Sequence, residues 1–344
     1  MAEPEVASKA PESDAQTRHE APAASDSPAP PTPPMGEHCT SDRPTPSGQA
    51  PTGEITKLNE VDVYISKPAD YPHAPSRLLL LLTGGTGLHS VNNQIQADRF
   101  ASEGYVVVMP DLFGGDPAPN GSRAIAAEFA SASSSFSATS FLDTFKIKAV
   151  ETAKSFLIDM WLARHTEEKV LPILHRVLDA CRDEFADAVS HGGGVYAVGY
   201  CFGARYVLLL AAEKPTATGR SGQSSNSGGG GGGGGGDEEA NRPKTAGPYI
   251  KAGALAHATL VSKNDFIGLK APVSVVCVEN DPMFPDEVRM AGEDYMSNNA
   301  VEHEVQVYPG VPHGFAVVGE YEDPNIKIAQ ATAFDQMLKW IKEH

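Results

Sequence analysis

The sequence predicts an α/β fold in which helices cover both faces of a mostly parallel β-sheet. From about residue 55 onward, short apolar runs that end at Gly or Pro recur, as in "RLLLLLTGG" and "GYVVVMPDL". Continuous apolar runs of this length are typical of strands buried on both faces. Segments with helical periodicity lie between the runs, and this alternation is typical of a parallel sheet covered by helices.

The first elements form a βαβ unit. The alternating stretch "VDVYISKP" predicts an exposed strand, and buried strands are predicted over 77–85 and 104–112. Between the buried strands, Ser90 is a candidate N-cap and Gly104 a candidate stop for one helix. A parallel pair of strands therefore lies near the start of the sheet.

The later elements continue the alternation. Apolar residues at a 3.6-residue period from Val170 to Phe185 predict an amphipathic helix with Cys181 on its buried face. The segment 114–191, which contains this helix, is expected to roof a pocket. After it the sequence predicts, in order, a strand over 194–200, a helix through Ala212, strands over 249–261, 272–281 and 301–310, and a C-terminal helix over 325–344.

Low-complexity segments precede and interrupt this domain. Residues 1–50 are rich in Pro, Ala, Ser and Thr and contain few large apolar side chains, which predicts a disordered tail. Residues 215–248 include nine consecutive glycines and predict a flexible surface insertion. We therefore expect one domain over 51–344, interrupted at about 215–248.

The composition disfavours several classes of partner and cofactor. A net charge of −17 disfavours nucleic acid and anionic membranes. The N-terminal residues lack the apolar region of a secretory signal, so a cytoplasmic location is expected. Spacing among the four cysteines fits neither a disulfide framework nor a zinc site, so we expect free thiols and neither a metal nor a cofactor; they are Cys39, Cys181, Cys201 and Cys277.

One cysteine stands between two glycines, in Gly199-Tyr200-Cys201-Phe202-Gly203. A sharp turn from strand to helix, with small residues on either side of its centre, exposes the central side chain above the sheet as a nucleophile. The alternative is that Cys201 is a small buried hydrophobic residue, the commonest role of a free cysteine. The residues elsewhere in the chain must decide between the two.

A cysteine nucleophile needs a base and a group that orients the base. Asp281 ends a predicted strand and His313 follows the next one, so both are expected at the carboxyl edge of the sheet, where α/β folds bind ligands. The order nucleophile, acid, histidine is that of α/β-hydrolases. Glu279 is a competing acid, and His257 and His89 are competing bases that do not fit this order.

Backbone N–H groups are needed where negative charge develops on the substrate. Phe202 follows the candidate nucleophile at the start of a helix and supplies one N–H. Gly85, in the loop "TGGTG", is the best candidate for the second. This loop lacks the glycine and lysine pattern of a phosphate-binding loop.

From about residue 52 to the C-terminus the chain resembles the dienelactone hydrolase family, in particular its fungal members. The matching segments are "TGGTGLHSVNNQIQADRFASEGYVVVMPDLFGGDPAPN", "VYAVGYCFGARYV", "CVENDPMFP" and "YPGVPHGFAV". The resemblance implies an α/β-hydrolase fold and cofactor-free hydrolysis of a small ester or lactone through a thioester. It implies Cys201, His313 and Asp281 as the triad, with Phe202 and Gly85 as the oxyanion hole.

Two positions depart from the bacterial members of that family. Gly84 stands where those proteins have a glutamate that controls the thiol proton, and Val317 and Val318 stand where they have an arginine that binds the substrate carboxylate. We therefore expect a thiolate before substrate binds and a preference for neutral substrates. A second hypothesis is a non-catalytic or redox-responsive protein with an accessible thiol that is oxidised.

Overall fold

The computed structural model describes residues 37–119, 155–215 and 245–344. The strands are β1 (Glu54–Leu58), β2 (Val61–Ser66), β3 (Arg77–Leu82), β4 (Tyr105–Pro110), β5 (Val195–Tyr200), β6 (Lys214–Pro215), β7 (Thr245–Ala246), β8 (Ala252–Ala256), β9 (Val273–Val278) and β10 (His303–Tyr308). The helices are α1 (Glu37–Thr40), α2 (Val91–Ser102), α3 (155–164), α4 (Glu167–Glu184), α5 (Ala186–Gly192), α6 (Phe202–Ala211), α7 (Asp286–Asn298) and α8 (Pro324–Glu343).

Eight strands form one sheet in the order β1-β2-β4-β3-β5-β8-β9-β10. The six strands from β4 to β10 in this order are parallel, whereas β2 pairs antiparallel with β4 and β1 antiparallel with β2. The carboxyl ends of the parallel strands therefore meet at one edge. This arrangement confirms the predicted α/β fold with a mostly parallel sheet.

The five leucines of β3 show how helices cover both faces of this sheet. Leu78, Leu80 and Leu82 belong to a core shared with α4 and α6, whereas Leu79 and Leu81 belong to a second core shared with α2 and α8. All five are fully buried. The continuous apolar run is explained because consecutive side chains of a strand point to opposite, equally buried faces.

Local signals in the βαβ unit are also confirmed. The Ser90 side chain accepts a hydrogen bond from the Asn93 N–H and caps α2. Gly104, which follows α2, has a φ of +97°, a conformation that favours glycine. This helix therefore begins and ends where the sequence predicts.

The predicted disorder of residues 1–50 differs from the structure over residues 37–50, which we call the N-terminal segment. Cys39 and Thr40 are buried, and Thr45 donates a hydrogen bond of 2.9 Å to Asn92 of α2. A few specific contacts hold this segment, and an average composition over fifty residues does not reveal them. The rest of the predicted tail, 1–36, lies outside the described residues.

The predicted insertion also lies mostly outside the described residues, over 216–244. At its two ends, β6 and β7 pair antiparallel, with Lys214 opposite Ala246 and Pro215 opposite Thr245. Within the described ranges, no helix combines the length and the apolar character that crossing a membrane requires.

Candidate active site

Cys201 lies at the turn between β5 and α6, at the carboxyl edge of the sheet. Its backbone has φ +49° and ψ −113°, a strained conformation of the kind found at functional sites. A Cβ on Gly199 would lie 2.6 Å from Val207, and one on Gly203 would overlap the backbone of Leu82. Glycine is therefore required on both sides of the turn, as the elbow interpretation predicts.

The expectation of an exposed elbow is wrong for this structure. Cys201 is only 3% exposed because the N-terminal segment lies over it. Its Sγ lies 3.2 Å from Sγ of Cys39, which is itself 2% exposed. Cys39 was not predicted to belong to the site, because it falls in the proline-rich tail and is part of no motif.

Three hydrogen bonds, besides that from Thr45 to Asn92, hold the N-terminal segment above the site. Ser90 donates a hydrogen bond to Asp42 at 2.8 Å, and Asn92 donates one to the Arg43 carbonyl at 2.7 Å. The N–H of Glu320 donates to the carbonyl of Pro44, also at 2.8 Å. The segment thus lies against the start of α2 and the loop that precedes α8.

His313 and Asp281 are brought together. Nδ1 of His313 lies 2.7 Å from Oδ2 of Asp281, and both side chains are buried. The other oxygen of Asp281 accepts a hydrogen bond of 2.9 Å from the N–H of Met283, so the carboxylate is fixed from both sides. Glu279, the competing acid, is exposed.

The competing histidines take other positions. His89 is exposed in the loop that precedes α2. His257 is buried beside the site, with its ring centroid 5.0 Å from that of His313 and edge-on to it. Of the three candidate bases, His313 is the one that pairs with Asp281.

Thr259 connects the histidine with the cysteine. Its hydroxyl lies 3.3 Å from Sγ of Cys201 and 3.3 Å from Nε2 of His313. Sequence reasoning missed this residue, although it follows β8, whose carboxyl end lies beside that of β5. Loops after neighbouring parallel strands share one edge, and that placement is the signal that points to Thr259.

The neighbours of Cys201 and His313 shift the pKa values of both side chains. The hydrogen bond with Cys39, together with the neighbouring His313, holds the pKa of Cys201 well below its usual range, although burial opposes both. Burial lowers the pKa of His313, but the hydrogen bond to Asp281 and the neighbouring Cys201 outweigh it and raise that pKa to about 9. Both shifts favour a thiolate beside an imidazolium.

The glycine-rich loop after β3 lies against the elbow. A Cβ on Gly84 would lie 3.1 Å from Cβ of Cys201, and the N–H of Gly203 donates to the carbonyl of Thr83 at 2.9 Å. Gly85 follows within this loop, and its carbonyl accepts a 2.8 Å hydrogen bond from Ala118. Phe202, the other predicted oxyanion residue, is the first residue of α6, where a backbone N–H has no partner within the helix.

The space beside Cys201 is small. A cavity of about 30 Å³ adjoins the thiol, and its walls include Val317 and Val318, where the sequence comparison expected an arginine. The N-terminal segment adds Arg43, a cation that the sequence analysis did not consider. Its guanidinium lies 4.9 Å from the ring centroid of Tyr321.

Part of the predicted roof is also described. Trp161 of α3 is fully buried, and its ring centroid lies 5.4 Å from that of Phe202. Phe113 contacts both rings, at 4.9 and 5.2 Å. Trp161 of the segment 114–191 therefore packs, together with Phe113, against the residue that follows Cys201.

Cys39, Cys201 and His313 each place one donor atom within 4.8 Å of the others. Among the described residues, these three form the group that could hold a metal ion, and thiolate and imidazole are ligands that zinc accepts.

Comparisons with known proteins agree with this architecture. The model of the dienelactone hydrolase family matches residues 61–221 and 241–344. "Hydrolase pyvD" from Aspergillus violaceofuscus is 26% identical over 292 residues, which cover 85% of this chain and 90% of that protein. "Dienlactone hydrolase 1" from Gibberella moniliformis is 25% identical and covers 85% of this chain and 87% of its own.

Two solved structures share the fold. A putative dienelactone hydrolase from Klebsiella pneumoniae has a TM-score of 0.56 at 16% identity, covering 86% of this chain and all (100%) of that one. A thermophilic esterase from Thermogutta terrifontis has a TM-score of 0.51 at 14% identity, covering 86% and 94%. Together with the parallel sheet and the elbow, these likenesses identify the α/β-hydrolase fold.

Proposed function

The chain belongs to the dienelactone hydrolase family, and from that premise we propose that it hydrolyses a small ester or lactone through Cys201, His313 and Asp281. One observation carries the proposal. At the strained elbow, a buried thiol with a lowered pKa lies beside a histidine that a buried carboxylate holds at 2.7 Å. A nucleophile, a base and an orienting acid are the three groups that covalent ester hydrolysis needs.

The first half of the reaction forms a thioester. The Cys201 thiolate attacks the carbonyl carbon of the ester, and the carbonyl electrons move to the oxygen, where the N–H groups of Phe202 and Gly85 stabilise the charge. When the tetrahedral intermediate collapses, the bond to the alkoxide breaks. The His313 imidazolium donates its proton to that alkoxide, which leaves as an alcohol or, in a lactone, stays attached to the acyl chain.

The second half releases the acid. Neutral His313 takes a proton from a water molecule, which attacks the thioester carbonyl. The second tetrahedral intermediate expels the Cys201 thiolate and leaves the carboxylic acid. Asp281 holds the ring so that Nε2 faces the thiol and stabilises the imidazolium, as the carboxylate of a triad does.

Substrate binding requires the N-terminal segment to move. A cavity of about 30 Å³ has room for water, whereas pockets for small-molecule ligands measure roughly 300–1,000 Å³. When the segment leaves, Arg43 leaves with it, and Val317 and Val318 remain in the wall. The opened pocket therefore favours neutral substrates.

The nucleophile is tested by brief incubation with an activated ester, p-nitrophenyl acetate, followed by peptide mass spectrometry. We expect one acetyl group on the peptide that contains Cys201, and its loss in the presence of hydroxylamine, which cleaves thioesters. The matched control is Cys181→Ala, which removes a buried thiol of the core. Acetyl groups only on lysine side chains would contradict the proposal.

The substrate class is tested by comparing a neutral lactone with its carboxylated analogue. We expect a higher kcat/KM for the neutral lactone, in wild type and in Arg43→Gln alike. A preference for the anion that disappears in Arg43→Gln would instead identify Arg43 as a carboxylate anchor that stays in the pocket.

A further inference from the structure

The contact between Cys39 and Cys201 joins two distant parts of the chain at the candidate nucleophile. Their Sγ atoms lie 3.2 Å apart, although 162 residues separate them in sequence. A disulfide has an S–S distance of about 2.05 Å, so a bond needs a movement of only about 1 Å. A shift of this size in the N-terminal segment, which carries Cys39, brings the two sulfur atoms within bonding distance.

The neighbouring cavity determines what can reach the two sulfur atoms. Both thiols are buried, and both line the cavity of about 30 Å³. One water molecule needs roughly 10–15 Å³ measured in this way, so the cavity admits a molecule of about two oxygen atoms. Hydrogen peroxide has this size, whereas a peptide disulfide such as oxidised glutathione does not fit while the N-terminal segment covers the site.

The chemistry of Cys201 suits such an oxidant. Thiolates, and not thiols, react with peroxide, and the neighbours of Cys201 favour its thiolate. Cys39 then lies within reach as the second, resolving thiol. Cys181 and Cys277, by contrast, are buried in the core and burial raises the pKa of each to about 12.

We propose that Cys39 and Cys201 form a reversible disulfide with hydrogen peroxide as oxidant, which switches the hydrolase off. The bond removes the nucleophile and fixes the N-terminal segment over the cavity at the same time. The regulatory part of this inference rests on the proposed function, whereas the modification itself does not.

The disulfide forms in two steps. The Cys201 thiolate attacks one oxygen of the peroxide, the O–O bond breaks, and the leaving hydroxide takes the proton of His313 to form water and Cys201 sulfenic acid. The sulfur of Cys39 then attacks that sulfenic sulfur, the S–O bond breaks, and the hydroxide leaves as water with the proton of the Cys39 thiol. Two thiols are oxidised by two electrons and one peroxide is reduced to two waters.

The experiment treats the full chain with one equivalent of hydrogen peroxide in the presence of a chelator, which keeps metal off the thiols. Free thiols are then alkylated, and the protein is digested without reduction for mass spectrometry. We expect a peptide pair that links Cys39 to Cys201, loss of esterase activity in proportion to that pair, and recovery of both thiols and activity with dithiothreitol.

Two variants make the result specific. In Cys39→Ser no cross-link forms, and with an excess of peroxide a second peroxide molecule oxidises the Cys201 sulfenic acid to sulfinic acid. Because dithiothreitol does not reduce a sulfinic acid, we expect it to restore less than about a tenth of the lost activity, whereas wild type treated with the same excess recovers. Cys181→Ala should cross-link as the wild type does. A thermal unfolding curve for each variant establishes that it is folded, and Cys39→Ala replaces Cys39→Ser if the serine variant is not.

Absence of the Cys39–Cys201 peptide while Cys201 oxidises further would overturn the inference. So would a Cys39→Ser protein that dithiothreitol restores as fully as the wild type. Because the cross-link is read by mass, it is independent of turnover: a cross-linked protein that hydrolyses no ester supports the modification and overturns only the proposed function.

Discussion

Cys201 at the sheet edge is about as buried as Cys181 and Cys277 in the core, yet its pKa is lowered whereas theirs are raised. Cys181 on α4 and Cys277 in β9 are at most 1% exposed, and burial raises the pKa of each to about 12. Cys201 is 3% exposed, and its pKa lies well below the usual range. Burial therefore does not decide whether a thiol of this protein is reactive.

The difference lies in what each sulfur contacts. Cys277 lies within β9, where its neighbours are the side chains of a packed core. Cys201 borders the same core but also has Cys39, Thr259 and His313 around it, which form hydrogen bonds with it or bring positive charge. These polar partners at the elbow more than offset desolvation.

The largest loss of activity is expected when the sulfur of Cys201 is removed. Cys201→Ala removes the attacking sulfur, and we expect kcat for ester hydrolysis to fall more than about 10³-fold. Cys181→Ala, matched in residue type and burial, should keep most of the wild-type kcat. Steady-state kinetics on both purified proteins checks this, with circular dichroism to establish the fold. A Cys201→Ala protein with near wild-type kcat would end the assignment of the nucleophile.

Removing the charge of Asp281 tests whether this carboxylate orients His313 for catalysis. Asp281→Asn should lower kcat by about 10²–10⁴-fold, because the ring loses the partner that fixes its tautomer and stabilises its positive charge. The matched control is Glu279→Gln, which changes an exposed carboxylate on the same loop and should alter kcat less than about twofold. Equal or reversed losses would move the orienting acid to Glu279.

The pH dependence of alkylation measures the difference in pKa between Cys201 and the two core cysteines. A free thiol with a pKa of about 8.5 is a few per cent ionised at neutral pH. Because the pKa of Cys201 is lowered, its rate of alkylation by iodoacetamide should be half-maximal well below pH 8.5, whatever the access of the reagent. Cys181 and Cys277 should not react in the folded protein. A midpoint at or above 8.5 would contradict the resting thiolate.

The pair of Cys201 and His313 also predicts a pH above which activity falls. The raised pKa of His313 means that the imidazolium persists up to a pH of about 9 and is lost above it. The acylation step needs that proton for the leaving group, so kcat/KM should fall as the pH rises through about 9. A profile that stays flat to pH 10 would show that His313 does not supply the proton.

The smallest effect is expected from the glycine-rich segment between β6 and β7. We expect that deleting residues 219–241 leaves kcat unchanged and alters the free energy of unfolding by less than about 1 kcal/mol, since each doubling of a flexible loop costs only about 0.6 kcal/mol. Thermal unfolding and kinetics of the deletion variant measure both. Loss of turnover would show that this segment packs on the domain.

Sequence alone was sufficient to predict the elements that a local pattern marks. The strands ending before Cys201, Asp281 and His313 are apolar runs closed by turn residues, so their shared edge follows from a parallel sheet. The glycine on each side of Cys201 is itself a local signal, although the contact that excludes a side chain at Gly203 comes from Leu82 on β3. For this reason the elbow and the pairing of His313 with Asp281 could be predicted from the sequence.

The contacts that close the site could not be predicted in the same way. Cys39 reaches Cys201 across 162 residues, and nothing within the proline-rich segment signals that contact. Thr259 lies in an irregular turn, next to His257 at φ +38° and Leu260 at φ +61°, and no motif marks it. Both depend on how separate segments pack, which also explains why the burial of Cys201 was missed.

The small pairing of β6 with β7 has a practical consequence for engineering. Pro215 and Thr245 pair directly opposite each other, so both ends of the intervening stretch are held side by side. A guest protein whose own termini lie close together, such as a fluorescent reporter, fits between two such anchor points without pulling on either. The junction between β6 and β7 is therefore a suitable insertion site for a fusion that carries the hydrolase and a reporter in one chain.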